Sequence, residues 1–148
     1  MNKQTLIALI DTKAGLAATF LRIPIGIILA VHGAQKLFAW FGGYGLDGTG
    51  QWMASIGLAP GYLMALLAGS AEFFGGIALI VGLLTRPAAL VGAFTMVIAI
   101  FWVHFSNGFL LTSNGYEYAL ALLAATAALT VQGAGALSLD KLISDKLK

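Results

Sequence analysis

Long apolar stretches alternate along the chain with short polar, glycine-rich ones. Four stretches run almost uninterrupted: Leu16 to Phe41, Gly61 to Leu84, Pro87 to Phe105 and Tyr116 to about Gln132. Each is close to the ~20 residues a helix needs to cross a bilayer. A helix satisfies its own backbone hydrogen bonds, which lipid cannot do for it. The pattern predicts an all-α integral membrane protein: one domain over residues 1–148, built as an antiparallel four-helix bundle.

The polar stretches predict the connections. The longest, "FGGYGLDGTGQWMASIGLAP" (41–60), has glycines expected to break helix. Its Trp52, Met53 and Ile56 predict a short amphipathic turn at the membrane interface. "LLTRPA" (83–88) reads as a tight turn with Pro87 at the first helical position. "SNGFLLTSNGY" (106–116) holds two Asn-Gly turn signals. In the tail "SLDKLISDKLK", Leu139, Leu142, Ile143 and Leu147 fall at helical spacing, as in a surface helix. The opening "MNKQTLIALIDTKAG" is too interrupted for a signal peptide and reads as an interfacial amphipathic segment.

Composition sharpens the class. Residues are 59% hydrophobic and 9% charged, and mean hydropathy is +0.92. Soluble domains carry about 25% charged residues; this chain has too few to cover a water-facing surface. Cysteine is absent and there are two histidines, so no metal site is expected. A net charge of +2 without a basic stripe predicts no nucleic-acid partner. "GYGLDG" (43–48) matches a dinucleotide fingerprint only formally, because it follows an apolar helix and not a strand.

The charges also orient the chain. Lys3, Lys13, Arg22, Arg86, Lys141, Lys146 and Lys148 fall on one side of the four-span arrangement, and Lys36 alone on the other. The positive-inside rule then places both termini in the cytoplasm.

The ionisable residues inside the spans are the candidate chemistry. At ~100° per residue, Arg22 and Lys36 share a sector with Gly26 and Gly33. Glu72 shares one with Ala65, Ala68, Gly69 and Gly76, and Glu117 one with Ala121, Ala124 and Ala128. Small residues let membrane helices approach closely, so these charges are expected to point into the bundle. By helical rise, Arg22 lies roughly 9 Å and Lys36 roughly 30 Å along the first span, and Glu72 about 16 Å below the outer end of the second. These depths predict a buried Arg22–Glu72 ion pair. They also predict an outer polar pocket bounded by His32, Lys36, His104 and Glu117 and floored by Glu72. Each group has a plainer reading beside this one: Arg22 and Lys36 as snorkelling side chains, Glu117 as a helix-start charge, and the outer aromatics as an interfacial belt.

Three segments, "RIPIGIILAVHGAQKLF", "SIGLAPGYLMALLAGSAEFFGGIALIVGLLTRPAAL" and "NGYEYALALLAATAALTVQGAGALSLD", occur here in that order. Together they resemble the DoxX family of small four-helix bacterial membrane proteins, in the wider group with the DoxD-like and MauE-like proteins. The resemblance runs from about Phe20 to Asp140. It implies a multi-pass protein of the bacterial cytoplasmic (inner) membrane, surrounded by the lipid bilayer. DoxD-like relatives look like small subunits of a thiosulfate:quinone oxidoreductase, and others are linked to respiratory complexes and to oxidative or quinone stress. The family's arginine corresponds to Arg22, its helix-one histidine and lysine to His32 and Lys36, and its carboxylates to Glu72 and Glu117. No cofactor-attaching residue carries over, and the lack of cysteine argues against a direct sulfur relay.

The resemblance implies a membrane subunit associated with quinone-linked redox chemistry or oxidative-stress defence, working with a partner redox enzyme and not as a stand-alone enzyme. A quinone head group would find donors in His32, Lys36 and His104, with Glu72 or Glu117 as proton carriers. A non-catalytic scaffold for a partner enzyme is the second reading. A small proton-coupled transporter is the third, and it would need a homo-oligomer to form a pathway.

Overall fold

A computed structural model describes residues 3–13 and 15–147, and the regular structure among them is helical. Met1, Asn2 and Ala14 of the opening segment, and Lys148 of the basic set, lie outside the described residues. Seven α-helices follow in order: α1 (Lys3–Ile10), α2 (Leu16–Phe38), α3 (Gly45–Ser55), α4 (Gly61–Val81), α5 (Thr85–Ile98), α6 (Glu117–Gln132) and α7 (Leu139–Leu147). Beyond Ile98, α5 continues through a π-helical stretch, Ala99–His104, and a 3-10 turn, Phe105–Asn107.

Among the described residues, three helices are long and apolar enough to cross a membrane: Leu16–Phe38, Gly61–Val81 and the continuous Thr85–Asn107. The first ends three residues before the expected Phe41, because Ala39 turns left-handed at φ 59°. The fourth apolar helix, α6, has 16 residues. At 1.5 Å per residue that is about 24 Å, short of a ~30 Å hydrocarbon core. It lies along α5 and also touches α2. Near its start the Tyr118 ring stands 6.4 Å from that of His32, and just past its end the Ala134 carbonyl accepts from Arg22 Nε at 2.8 Å.

The most extensive packing is between α2 and α4, whose backbones touch. A Cβ at Gly26 would stand 2.6 Å from the Gly76 carbonyl oxygen, and one at Gly76 would stand 2.5 Å from the Ala30 nitrogen. Further along, Gly33 lies against the backbone of Gly69 and Phe73. This seam is the small-residue face expected from the sequence. The α3–α4 contact uses the same device, with Gly50 against Gly61 and Tyr62. Of the first linker's glycines, Gly42, Gly43 and Gly57 lie outside α3, as expected of helix breakers, whereas Gly45, Gly48 and Gly50 lie within it. Gly50 permits packing on α4, and α3 is an eleven-residue helix rather than a short turn.

On α6 the expected small-residue face is not the inner one. Ala119, Leu122, Thr126 and Leu129 are buried, whereas Ala121 and Ala124 are exposed and Ala128 is half-buried. Leu122 and Leu129 join Leu29, Leu79, Ala89 and Met96 in the core. Thr126 hides its hydroxyl by donating to the Leu122 carbonyl at 2.8 Å, which lets it lie buried beside these leucines.

Adjacent glycines on α4 test the seam. Next to Gly75, the nearest atom to an added Cβ is the Ala88 carbonyl oxygen at 3.7 Å, an ordinary contact. Gly75→Ala is expected to leave thermal stability in detergent unchanged or raise it, since alanine favours helix by up to about 1 kcal/mol. Gly76→Ala is expected to cost about 1–3 kcal/mol by overpacking, read as a lowered Tm. Equal behaviour of the two variants would contradict the backbone contact.

Candidate functional site

The antiparallel seam decides which charges can meet. With Gly26 against Gly76 and Gly33 against Gly69 and Phe73, Arg22 lies beside the last turn of α4, not beside Glu72. Its guanidinium donates to the carbonyls of Leu79 at 2.7 Å and Ile80 at 2.5 Å. It also donates to the Ala134 and Leu137 carbonyls, and the residue is 1% exposed. The last carbonyls of a helix have no partner within it, and an arginine fork suits them by charge and geometry.

The same corner holds a buried carboxylate. Asp140 accepts from the backbone N–H groups of Leu84 at 2.7 Å and Thr85 at 2.8 Å, where α5 begins. Its own N–H donates to the Gly82 carbonyl at 2.8 Å. Gly82 sits at φ 70°, and a Cβ there would stand 2.9 Å from Arg22 Cζ. Cation and carboxylate thus serve the two unsatisfied helix ends of one tight turn. Arg86 acts similarly, donating to the Thr130 and Val131 carbonyls of α6 at 3.1 and 2.6 Å.

At the other end of the bundle, Lys36 takes the place expected of Arg22. Helical side chains lean toward their own N-terminus. In antiparallel helices, Lys36 on α2 and Glu72 on α4 therefore lean toward each other. Lys36 Nζ lies 2.5 Å from Glu72 Oε2, with side chains 23% and 6% exposed. Nζ also approaches the His32 carbonyl at 3.4 Å. Beside this pair a cavity of about 520 Å³ opens between the end of α2 and the first linker. Lys36, Gln35, Tyr44, Thr49 and Trp52 supply its side chains, and Gly42, Gly43 and Gly48 part of its wall. Gln35 Nε2 donates to the Phe41 carbonyl at 3.2 Å and ties the linker back to α2.

The DoxX family model matches residues 17–105, a stretch that holds α2 to α5, the Lys36–Glu72 pair and the whole cavity. The chain belongs to the DoxX family. It is 35% identical over 123 residues to a Bacillus subtilis (strain 168) protein named "Putative oxidoreductase CatD", covering 83% of this chain and 84% of that one. It is 36% identical over 104 residues to the Escherichia coli (strain K12) inner membrane protein YqjF, covering 69% and 77%. It is 30% identical over 125 residues to inner membrane protein YphA of the same organism, covering 81% and 85%. No solved structure matches the chain.

The candidate residues of this DoxX protein divide into two groups. Lys36 and Glu72 are paired, and His32 is the neighbour whose carbonyl Lys36 approaches and whose ring faces Tyr118. The expected Arg22–Glu72 pair does not form, since each group has a different partner. Of the five residues expected around the pocket, Lys36 alone lines this cavity; His32 and Glu72 stand beside Lys36, and His104 and Glu117 instead close the loop between α5 and α6. His104 Nδ1 donates to the Asn114 carbonyl at 2.8 Å, and the Glu117 carboxylate accepts the Leu111 N–H at 2.5 Å. Two features escaped the sequence reading. Asp140 looked like part of an exposed tail, and Tyr44, Thr49 and Trp52 became wall residues only because α3 folds back on α4. Among the described residues no cluster suits a metal ion.

A double-mutant cycle separates the two pairings. Removing one partner of a buried pair typically costs about 3–5 kcal/mol, because the other charge is left uncompensated. Lys36→Met and Glu72→Gln should each lower stability in detergent, and the double variant should recover much of the loss. Arg22→Met combined with Glu72→Gln should instead be additive. Coupling of Glu72 with Arg22 but not with Lys36 would contradict the site.

Proposed function

We propose that this chain is a four-span subunit of a quinone-linked redox system in the bacterial inner membrane, with both termini cytoplasmic and the Lys36 cavity as its head-group site. The observation that carries the reading is Lys36, held at 2.5 Å by a buried carboxylate while it lines a cavity. An intramembrane ionisable group is expensive, and its default reading is functional. An ammonium has three N–H donors; Glu72 and the His32 carbonyl take two, which leaves one for a ligand carbonyl.

The cavity suits such a ligand. At about 520 Å³ it falls within the 300–1,000 Å³ range usual for small-molecule sites. Trp52 and Tyr44 give it aromatic faces for a flat ring, and Thr49 a hydroxyl. When bound, a quinone supplies reversible two-electron chemistry, with electrons from a partner redox enzyme. Lys36 would orient its carbonyl and hold a proton at Nζ, with Glu72 fixing the position of the ammonium. The name of the Bacillus relative accords with redox chemistry.

Topology is supported by three features. Arg22, Arg86 and Asp140 gather the ends of α4 and α6 and the start of α5 at one end of the bundle. Lys36 stands at the other end of α2. The path of α6 from Tyr118 beside His32 to Ala134 at Arg22 favours a fourth crossing despite its length. Reporter fusions at Gly48 and Gly108 should both report the outer side; a cytoplasmic signal at either would overturn the arrangement.

Binding tests the site itself. A short-chain quinone analogue should quench tryptophan fluorescence of the purified protein, and Trp52→Phe should remove part of that quenching. Hydrogen bonds to charged groups contribute about 1.5–3 kcal/mol. Lys36→Ala should therefore weaken binding about 10- to 100-fold, with a smaller loss for His32→Ala. Binding undiminished in Lys36→Ala would refute the assignment. Absence of binding in the parent protein would favour the scaffold reading.

A further inference from the structure

At the opposite end of the bundle from Lys36, a second cavity of about 490 Å³ is lined by Ala8, Asp11, Lys13, Arg86, Val131 and Gln132. Its cations differ in kind. Arg86 is pinned: besides the Thr130 and Val131 carbonyls, it donates to the Asp11 carbonyl at 3.3 Å. Its Nε is buried without a hydrogen-bond partner. Lys13 is exposed, on the linker between α1 and α2. One carboxylate shares the wall, but Asp11 Oδ1 accepts from Ser144 Oγ of α7 at 3.3 Å. Two cations thus face one carboxylate that already has a partner, and the exposed Gln132 amide adds further donors.

Part of this basic cavity's wall is apolar, from Ala8 and Val131. Val131 is 74% exposed on its rim. Nearby, α7 packs on α1 and buries Asp140 and Ser144, while Leu139, Leu142 and Ile143 stay exposed. A cationic recess with exposed Ala8 and Val131 in its wall, at the end of a membrane bundle, fits an anion that carries its own apolar tail. A free anion would gain nothing from that rim. Basic pockets between transmembrane helices at the cytoplasmic face are suited to anionic head groups.

We propose that this cavity binds the phosphodiester head group of an anionic phospholipid. Arg86 forms its fixed positive wall, Lys13 closes on the phosphate from the linker, and Gln132 donates from the end of α6. The acyl chains run past Val131 along α6. Only the choice of leaflet rests on the orientation proposed above; the binding is independent of the quinone reading, and so is its test.

Native mass spectrometry of the detergent-purified full chain, with phosphatidylglycerol or phosphatidylcholine added, measures the site directly. Phosphatidylglycerol should be retained preferentially and should raise the thermal unfolding midpoint. Lys13→Gln should reduce both effects several-fold, Lys13→Glu should abolish them, and Lys13→Arg should keep them. Lys141→Gln, which lies outside the cavity, should match the parent. Equal retention of the two lipids, or retention unaffected by Lys13→Glu, would overturn the proposal. Inorganic phosphate that stabilises the chain as much as phosphatidylglycerol does would overturn the lipid assignment. Lys13 is exposed, so these variants are expected to keep the fold, and the midpoint without lipid verifies that.

Discussion

The backbone contact between α2 and α4 is the constraint on which the rest depends. Where Gly26 meets Gly76 and Gly33 meets Gly69, the helices lie too close for any side chain between them. Such contacts fix both separation and register, because a shift by one turn would drive a larger residue into the facing backbone. The register then assigns partners. Arg22 falls at the end of α4 and not at its middle, and Lys36 and Glu72 are left to lean together. The cavity beside Lys36 follows in turn, because α3 can fold back there only through its own glycine contact with α4.

A second constraint is the lack of water inside a membrane bundle. Each orphaned backbone group at a helix end needs a partner, and each unmatched one costs several kcal/mol (about 2–7 by transfer data). Arg22, Arg86 and Asp140 meet that demand at one end of the protein. Arg22 and Asp140 are consumed by backbone, so they are structural, whereas Arg86 also lines a cavity. Lys36 and Glu72 differ because they satisfy each other at the edge of a cavity. That difference in what a charge faces separates a helix-end latch from a site, more than the cost of burying the charge does.

Much of this was legible in the sequence. Apolar run length located the long helices within a few residues, and the small-residue periodicity on the first two spans identified the seam. The partner of Glu72 was not legible, because depth measured from estimated span ends ignores both register and the lean of side chains. The same glycines, paired face to face, would have placed Arg22 opposite residues 79 and 80. Asp140 was hidden for another reason. Its tail reads as amphipathic with leucines at helical spacing, yet the polar sector is the one that packs inward and the leucines face out. On α6, the alanine stripe suggested an inner face that the larger Leu122 and Leu129 occupy instead.

The central claim is that Lys36, and not Arg22, pairs with Glu72 beside the cavity between α2 and the first linker. The chain reconstituted in lipid and labelled with ¹⁵N on lysine and arginine side chains and ¹³C on glutamate can be examined by solid-state NMR, with Lys36→Met and Glu117→Gln assigning the signals. Strong dipolar coupling between Lys36 Nζ and the Glu72 carboxyl carbon is the expected result, given a 2.5 Å approach of Nζ to Oε2. Coupling of that carboxyl to the Arg22 guanidinium, with none to Lys36, would contradict the account.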